Sequence, residues 1–551
     1  MALADLPVMT DAHPITLLVS GFLGFICIYI FYSIIVSSTS KRTQLPRVSN
    51  KKRWFLAKLR TRIWTTRYYG DALKIAYDDF AKHDQPCILA GLDGDTILLP
   101  QSAIPWMVAQ PENVLSVNGS HKHVLQTRYT FPRPEVMDPT VHFDIVRSEL
   151  TRQLFTVTPE VCDELAAAVD EIWGTSTKTW GFVKVFDSLT RIIARVNNRV
   201  FVGLPLCRDE KYIENATGFA EDIALSSTAL RMIPGSLRLL ASRFVTKSNR
   251  KHAHAFTQIL TPEIQRRQQE LRDAEPVGDT TKDGGDGDTH GKNDFLQWLL
   301  TRSLTKSHTK PDETDPNIIS ARLLHINFAS VHTTSFIASN ALLDILAAPT
   351  DQKVPEKLEA EAHETMDDAE LDNDAKVRSW ARNALPKMKY LDSALRESSR
   401  RSSIIGVGVN HKVVAKGGVT TPEGTFLPQG SLVAVHSGGV HNDGEVCDGP
   451  GEYKPFRYVD GGAAEQFTAT STTYLGFGHG RHSCPGRSFA ANELKLLLSY
   501  LLVNYDMQMV MEGGVGGVWN GKGHRPECEW MGPMHVFPDG AKLRIRRKVV
   551  D

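Results

Sequence analysis

A single cysteine inside a glycine-punctuated loop constrains this chain more than any other feature. Phe477-Gly478-His479-Gly480-Arg481-His482-Ser483-Cys484-Pro485-Gly486-Arg487 is followed at once by an apolar-periodic stretch, Ser488 to Asn504. The glycines permit a tight loop, and the periodicity predicts a helix. The sulfur then lies near a helix N-terminus, where the dipole and backbone N–H groups favour a thiolate and moderate its electron donation. A metal site built only from protein ligands would need further Cys or His at ligand spacing. Here the thiolate stands alone, so the loop presents one sulfur to something large and flat.

The chain has 551 residues without a linker separating two cores and without an evident internal repeat. Lys+Arg and Asp+Glu number 63 each, so nothing in the charge balance suggests nucleic-acid binding. Seven cysteines are scattered and odd in number, which argues against a disulfide framework and for a reducing compartment.

The N-terminus predicts a membrane anchor. Residues 15–36 run for 22 positions without a charge. As a helix they would span about 33 Å, enough for a bilayer core. Residues 1–14 carry Asp5 and Asp11 and no Lys or Arg, unlike the basic start of a cleaved signal. Ten Lys and Arg residues between Lys41 and Arg67 precede the next acidic residue. The positive-inside rule puts that side in the cytosol. The expectation is a lumenal tail over 1–14, a single-pass signal anchor over 15–36 and a catalytic domain over 37–551. A hinge begins at Leu45-Pro46.

The rest reads as mainly α with small peripheral β-sheets. Glu160 to Trp173, Val183 to Asn197 and Leu494 to Val503 carry helical apolar spacing, while Ile97 to Leu99 and Ser431 to Val435 read as strands. Asp273 to Asn293 and Thr350 to Lys376 read as polar surface insertions, the first disordered and the second a solvated helix pair or loop. Asp315-Pro316 is a helix start, Asp at the N-cap and Pro at N1, and no Pro or Gly follows before Ala348. That predicts a helix of about 50 Å.

The cysteine loop resembles the heme-binding loop of the cytochrome P450 family, whose pattern is Phe-x-x-Gly-x-x-x-Cys-x-Gly. Phe477, Gly480, Cys484 and Gly486 fill its four fixed positions, and His482 stands where the family often has Arg. The resemblance to filamentous-fungal members is close. It implies heme b, with Cys484 as the axial thiolate ligand to iron.

Further motifs follow in the family's order. Phe328-Ala329-Ser330-Val331-His332-Thr333-Thr334-Ser335 lies mid-way along the long predicted helix. Clustered hydroxyls there compete for backbone carbonyls and are expected to open the helix into a polar niche. The family pattern is Ala/Gly-Gly-x-Asp/Glu-Thr; Ala329 and Thr333 match, Ser330 replaces Gly and His332 replaces the acid. The resemblance makes Thr333 the alcohol that delivers protons during dioxygen activation. His332 is either a second proton relay or a structural histidine facing away. Glu397-Ser398-Ser399-Arg400 supplies a helical Glu-x-x-Arg, and Tyr453 to Tyr458 resembles the later segment that ends in Arg. The resemblance joins Glu397, Arg400 and Arg457 in a buried network that locks the cysteine loop. Candidate partners for the heme propionates are His482, His411 and Arg147, the last in a motif with Phe143 in place of Trp.

The expected function is a heme-thiolate monooxygenase of fungal secondary-metabolism type. It would use O2 and NADPH, with electrons from a membrane NADPH–cytochrome P450 reductase and cytochrome b5 as partners, in the endoplasmic reticulum membrane. Apolar Ile404 to Val409 and Leu225 to Leu240 point to a bulky lipophilic substrate, with a terpenoid as the expectation. Two rivals are a heme-thiolate isomerase or dehydratase that does not activate O2, and a non-catalytic membrane heme-binding protein. The retained Thr333 argues against the first.

Overall fold

The computed structural model describes residue 24 and residues 44–49, 57–273, 292–306, 311–367, 384–510 and 525–549. The expected anchor at 15–36, Gly24 apart, and most of the Asp273 to Asn293 insertion lie outside the described residues. Among the described residues, no helix is long and apolar enough to cross a membrane.

The helices that position the site are, in chain order, α1 (Val117–Leu125), α2 (Val141–Ile145), α3 (Thr151–Trp173), α4 (Val185–Phe201), α5 (Glu210–Met232) and α6 (Lys247–Asp273). After them come α7 (Pro316–Ala347), α8 (Val354–Asp367), α9 (Lys389–Arg401) and α10 (Arg487–Asn504). A π-helical turn, Val146–Leu150, joins α2 to α3. The fold is mainly helical with small sheets.

The central element is α7. Asp315 accepts from the Asn317 N–H at 2.9 Å, and Pro316 fills the first turn, where its missing N–H costs nothing. The helix is buried on most of its circumference because α4, α5, α6, α9 and α10 all pack on it. A polar tie fixes one of these packings: Asn198 of α4 donates to Asn327 Oδ1 at 2.8 Å. Ser335 and Asn340 donate back to the Val331 and Phe336 carbonyls, and the Asn340 Oδ1 accepts from Arg525 at 2.9 Å. The expected opening does not form: residues 316–347 remain α-helical throughout, because the hydroxyls bond back without displacing the backbone ladder.

One five-stranded sheet lies beside the helices. Strands β1 (Cys87–Gly91) and β2 (Gly94–Leu99) form an antiparallel hairpin. The order then runs through β6 (Leu432–Val435) and β5 (Gly408–Val413) to β3 (Leu115–Ser116). The β2–β6 pairing is parallel, with Ile97 opposite Val433. Ile88, Ile97, Leu99 and Val433 pack into one buried cluster and Cys87, Leu89, Leu98 and Ala434 into another. This is the period-two alternation of a sheet covered on both faces. A three-stranded sheet, β4 (Gly181–Lys184), β8 (Lys542–Arg547) and β7 (Tyr505–Val510), ties the C-terminus to the start of α4.

Several boundaries differ from expectation. The helix ending at Trp173 begins earlier, at Thr151, and carries Pro159 within it. The helix of the Glu-x-x-Arg motif, for which the sequence suggests a start near Pro386, begins at Lys389, after a short turn at Leu385–Lys387. Over its described part the acidic insertion holds a short 3-10 turn, Thr350–Gln352, and one α-helix, α8. Its Glu361 is buried and accepts the N–H groups of Tyr390 and Leu391, so it caps α9.

Candidate functional site

The cysteine loop is built by backbone geometry. Gly478 and Gly480 hold φ of +70° and +74°, a region that disfavours any side chain, and a Cβ on Gly480 would lie 2.8 Å from Val108. The Cys484 N–H donates to the Phe477 carbonyl at 2.8 Å, which closes the loop across Gly480–His482. Arg487 opens α10 and donates to the Cys484 carbonyl at 2.9 Å. Cys484 is a free thiol. Burial pushes its pKa up, against the pull of the Gly486 and Arg487 N–H groups and of the Arg487 and Arg147 charges. A thiolate there needs a partner that compensates its burial.

The structure brings Glu397, Arg400 and Arg457 together. Glu397 is 0% exposed. Arg400 grips it with two contacts, at 2.9 and 3.0 Å, and Arg457 reaches it at 3.3 Å. The two guanidiniums and the Lys454 N–H hold the Glu397 carboxyl below its ordinary range despite its burial. From here the network continues to the cysteine loop through a residue that sequence reasoning missed. Arg400 donates to the His441 carbonyl at 2.8 Å, and the His441 ring accepts the Leu475 N–H at 2.7 Å. Leu475 in turn accepts the Gly478 N–H at 2.9 Å. Arg396 stacks on Tyr474 at 4.0 Å and donates to the Gln466 carbonyl.

The loop leads into α10, which packs on α7. Although this helix runs through the core, Ala329 is exposed and Thr333 half-exposed. Both therefore line an internal void, on one ridge at i, i+4 spacing. Thr333 donates its hydroxyl to the Ala329 carbonyl at 2.8 Å, which leaves its lone pairs free to accept. His332 lies on a different flank. Its ring stacks on Phe186 of α4 and sits beside Thr217 and Glu221 of α5. Burial lowers its pKa, and its Nε2 is buried without a partner among the described residues.

The propionate candidates converge. Arg147 lies in the π-turn, where its charge acts on both Cys484 and His482. It is half exposed and pairs with Asp144 at 3.4 Å. His482 lies 3.5 Å from Glu112 and accepts from Arg481 Nε at 3.0 Å. His411 is buried and places Nδ1 2.8 Å from the Val409 carbonyl. That bond leaves a bare lone pair on Nε2 in the neutral ring, so His411 donates to a carboxylate only when protonated. Burial opposes that, as do the charges of His482 and Arg481. Arg147 is the permanently charged member of the three. His121 of α1, which no motif marked, joins this group. Its side chain is enclosed enough that burial lowers its pKa, yet its surface is open, so it also lines the void.

These residues fit a heme. One half-buried thiol, Cys484, sits just before α10, which packs on α7 with its small residue Ala329, and basic side chains gather beside the loop. Among the described residues, no three His, Cys, Asp or Glu side chains cluster to hold a bare metal ion.

Comparison with known proteins agrees. The sequence model of the cytochrome P450 family matches residues 144–516. Cytochrome P450 monooxygenase 71 of Postia placenta is 32% identical over 80% of this chain and 81% of its own length. Cytochrome P450 monooxygenase gloP of Glarea lozoyensis is 28% identical over 83% of this chain and 85% of its own. Cytochrome P450 monooxygenase tenB of Beauveria bassiana is 27% identical over 97% of both chains.

Proposed function

The chain belongs to the cytochrome P450 family of monooxygenases, and we propose that it inserts one atom of O2 into a lipophilic small molecule of fungal secondary metabolism, a terpenoid being the class we favour. Electrons would come from NADPH through a membrane-bound reductase, with cytochrome b5 as a further donor. The observation that carries this reading is the glycine-held Cys484 loop leading into α10, which packs on α7, the helix that carries Ala329 and Thr333.

Heme held by the Cys484 sulfur supplies the dioxygen chemistry. The chain supplies position and protons. The Cys484 backbone is fixed by the Phe477 carbonyl and by Arg487, and the Gly486 and Arg487 N–H groups are directed at its sulfur. Arg147 neutralises carboxylates at the edge of the void, with His482, His411 and His121 beside it. Ala329 takes up little space on the α7 ridge. The Thr333 hydroxyl accepts a hydrogen bond from a group or water in the void, and on rotating away from Ala329 it hands on its own proton. No observation favours an isomerase: such chemistry has no use for an alcohol at Thr333.

We place the catalytic domain on the cytosolic face of the endoplasmic reticulum, behind an anchor at 15–36. The uncharged run and the basic residues after it support this. Protease treatment of sealed microsomes would digest all but the anchor region; a protected catalytic domain would reverse the orientation.

The experiment for the function is purification with its heme, a spectrum of the reduced carbon-monoxide complex, and reconstitution with reductase and NADPH against extracts of a strain lacking the gene. Consumption of one accumulated lipophilic compound, with gain of one oxygen, is expected. Loss of that compound without NADPH would overturn the monooxygenase reading.

A further inference from the structure

Upstream of Thr333 the same ridge carries a histidine pair that the chemistry above does not use. His325, Ala329 and Thr333 follow one another at i, i+4, i+8 on α7. His325 is 3% exposed. Its ring is boxed by Phe143 at 4.9 Å, Phe131 at 5.0 Å and Phe328 at 6.3 Å. His142 of α2, 0% exposed, sets its Nε2 2.8 Å from His325 Nδ1.

A third side chain fixes where the protons are. Arg322 lies one turn before His325, and a guanidinium can only donate. Its Nη1 is 3.2 Å from His142 Nδ1, so that nitrogen is the acceptor. Arg322 is itself held by Glu313 at 2.8 Å and by the Pro139 carbonyl at 3.1 Å. A neutral His142 must then carry its proton on Nε2 and donate it to His325 Nδ1. A neutral His325 must carry its own proton on Nε2. Burial keeps both rings neutral: it pushes His325 down to about 3 and His142 well below its ordinary value, and the Arg322 charge adds to both.

The His325 Nε2–H is therefore a fixed donor. It meets no acceptor among the described residues, and the His121 that lines the void is close enough for its charge to be felt at the ring. We propose that His325 is a specificity-determining residue, donating Nε2–H to a carbonyl or carboxylate oxygen already present on the lipophilic substrate. The inference deepens the monooxygenase reading and rests on it for the identity of the void. It also places the enzyme after a reaction that has installed that oxygen.

The test uses the detergent-solubilised full chain and two probes that share a carbon skeleton, the sesquiterpene ketone nootkatone and its hydrocarbon valencene. Equilibrium dialysis gives both affinities. Wild type is expected to hold the ketone at least about tenfold more tightly, since a site built to hydrogen-bond an oxygen discriminates against the analogue lacking it. His325→Phe should bring the two within about twofold, and His325→Gln, whose amide nitrogen can take the place of Nε2, should restore the preference. His325→Leu replaces His325→Phe if the larger ring prevents folding. Equal affinities in wild type, including no measurable retention of either probe, overturn the proposal; so does a preference that survives in His325→Phe or His325→Leu. The carbon-monoxide spectrum of the same preparations separates the two readings. A normal heme-thiolate band without ketone preference removes only this inference, whereas absence of the band removes the family chemistry.

Discussion

The ring nitrogen of His441 accepts the Leu475 N–H at 2.7 Å, while the His441 carbonyl accepts from Arg400 at 2.8 Å. One residue thus couples the charge network of α9 to the loop that carries Cys484. The coupling requires a neutral ring with its proton on Nδ1, and burial ensures this by pushing the His441 pKa down to about 3. His441→Leu is expected to loosen the loop and lower heme content at unchanged secondary structure. His441→Gln, which keeps an acceptor, should recover most of it. Heme per polypeptide from the absorption spectrum is the readout, and full heme content in His441→Leu would refute the coupling.

Removing Glu397 or Arg457 acts one step earlier. Glu397→Ala leaves two guanidiniums facing a buried gap, at a cost of about 3–5 kcal/mol. The expected outcome is loss of folded, heme-loaded protein, with activity per heme little changed in what survives. Because the Glu397 pKa is lowered in the fold, the network's stability is present above the ordinary carboxylate pKa and is lost as pH falls below that value and through the lowered native one. Thermal melts at stepped pH would show wild type losing stability on acidification more steeply than Glu397→Gln.

Cys484→Ala should abolish the red-shifted Soret band of the reduced carbon-monoxide complex. Persistence of that band would show that another group ligates the iron.

Thr333→Ala should uncouple NADPH consumption from product. Loss of organised proton delivery is worth about 10²–10⁴-fold in rate, less where ordered water substitutes. His332→Ala is expected to change coupling little, because its ring lies against Phe186 and α5 and not on the Ala329–Thr333 ridge. Product, hydrogen peroxide and NADPH measured in one assay distinguish the two residues. Equal uncoupling in both variants would place His332 in the relay after all.

Glu493 of α10 is 2% exposed, and neither of its oxygens has a partner among the described residues. Burial pushes its pKa well above the ordinary carboxylate range, so the native carboxyl is protonated. Above about pH 4.5 the unfolded chain ionises and the native one does not. Stability then falls with rising pH by about 1.4 kcal/mol per unit until the native pKa is reached. Glu493→Gln removes this slope. Its Tm relative to wild type should rise between about pH 5 and about pH 7; a constant difference would show that Glu493 is ionised in the fold.

What the sequence made legible was local. Asp315-Pro316 announced α7 because cap and first turn are set by neighbouring residues. The Cys484 loop could be read because its glycines sit where φ must be positive. The contacts between Glu397 and Arg457 followed only from family resemblance, since 60 residues separate them. His142 and His325 are 183 residues apart, and neither belongs to a recognised motif; only the packing of α2 on α7 brings their rings together. The direction of His332 was equally unreadable. It depends on how α7 is rotated against α4 and α5, which adjacent sequence does not encode.

Strand β2 waits a long time for its neighbour. Its parallel partner β6 begins at Leu432, opposite Thr96, so about 340 residues of chain separate the two. At about 5–20 residues per second of synthesis, the ribosome takes roughly 20–70 s to supply the missing strand. Throughout that interval the β1–β2 hairpin carries an open row of backbone donors and acceptors beside apolar Ile97, Leu98 and Leu99. The nascent amino-terminal hairpin is therefore the segment a chaperone has to shield, and shortage of such protection would show first as aggregates formed co-translationally through that edge.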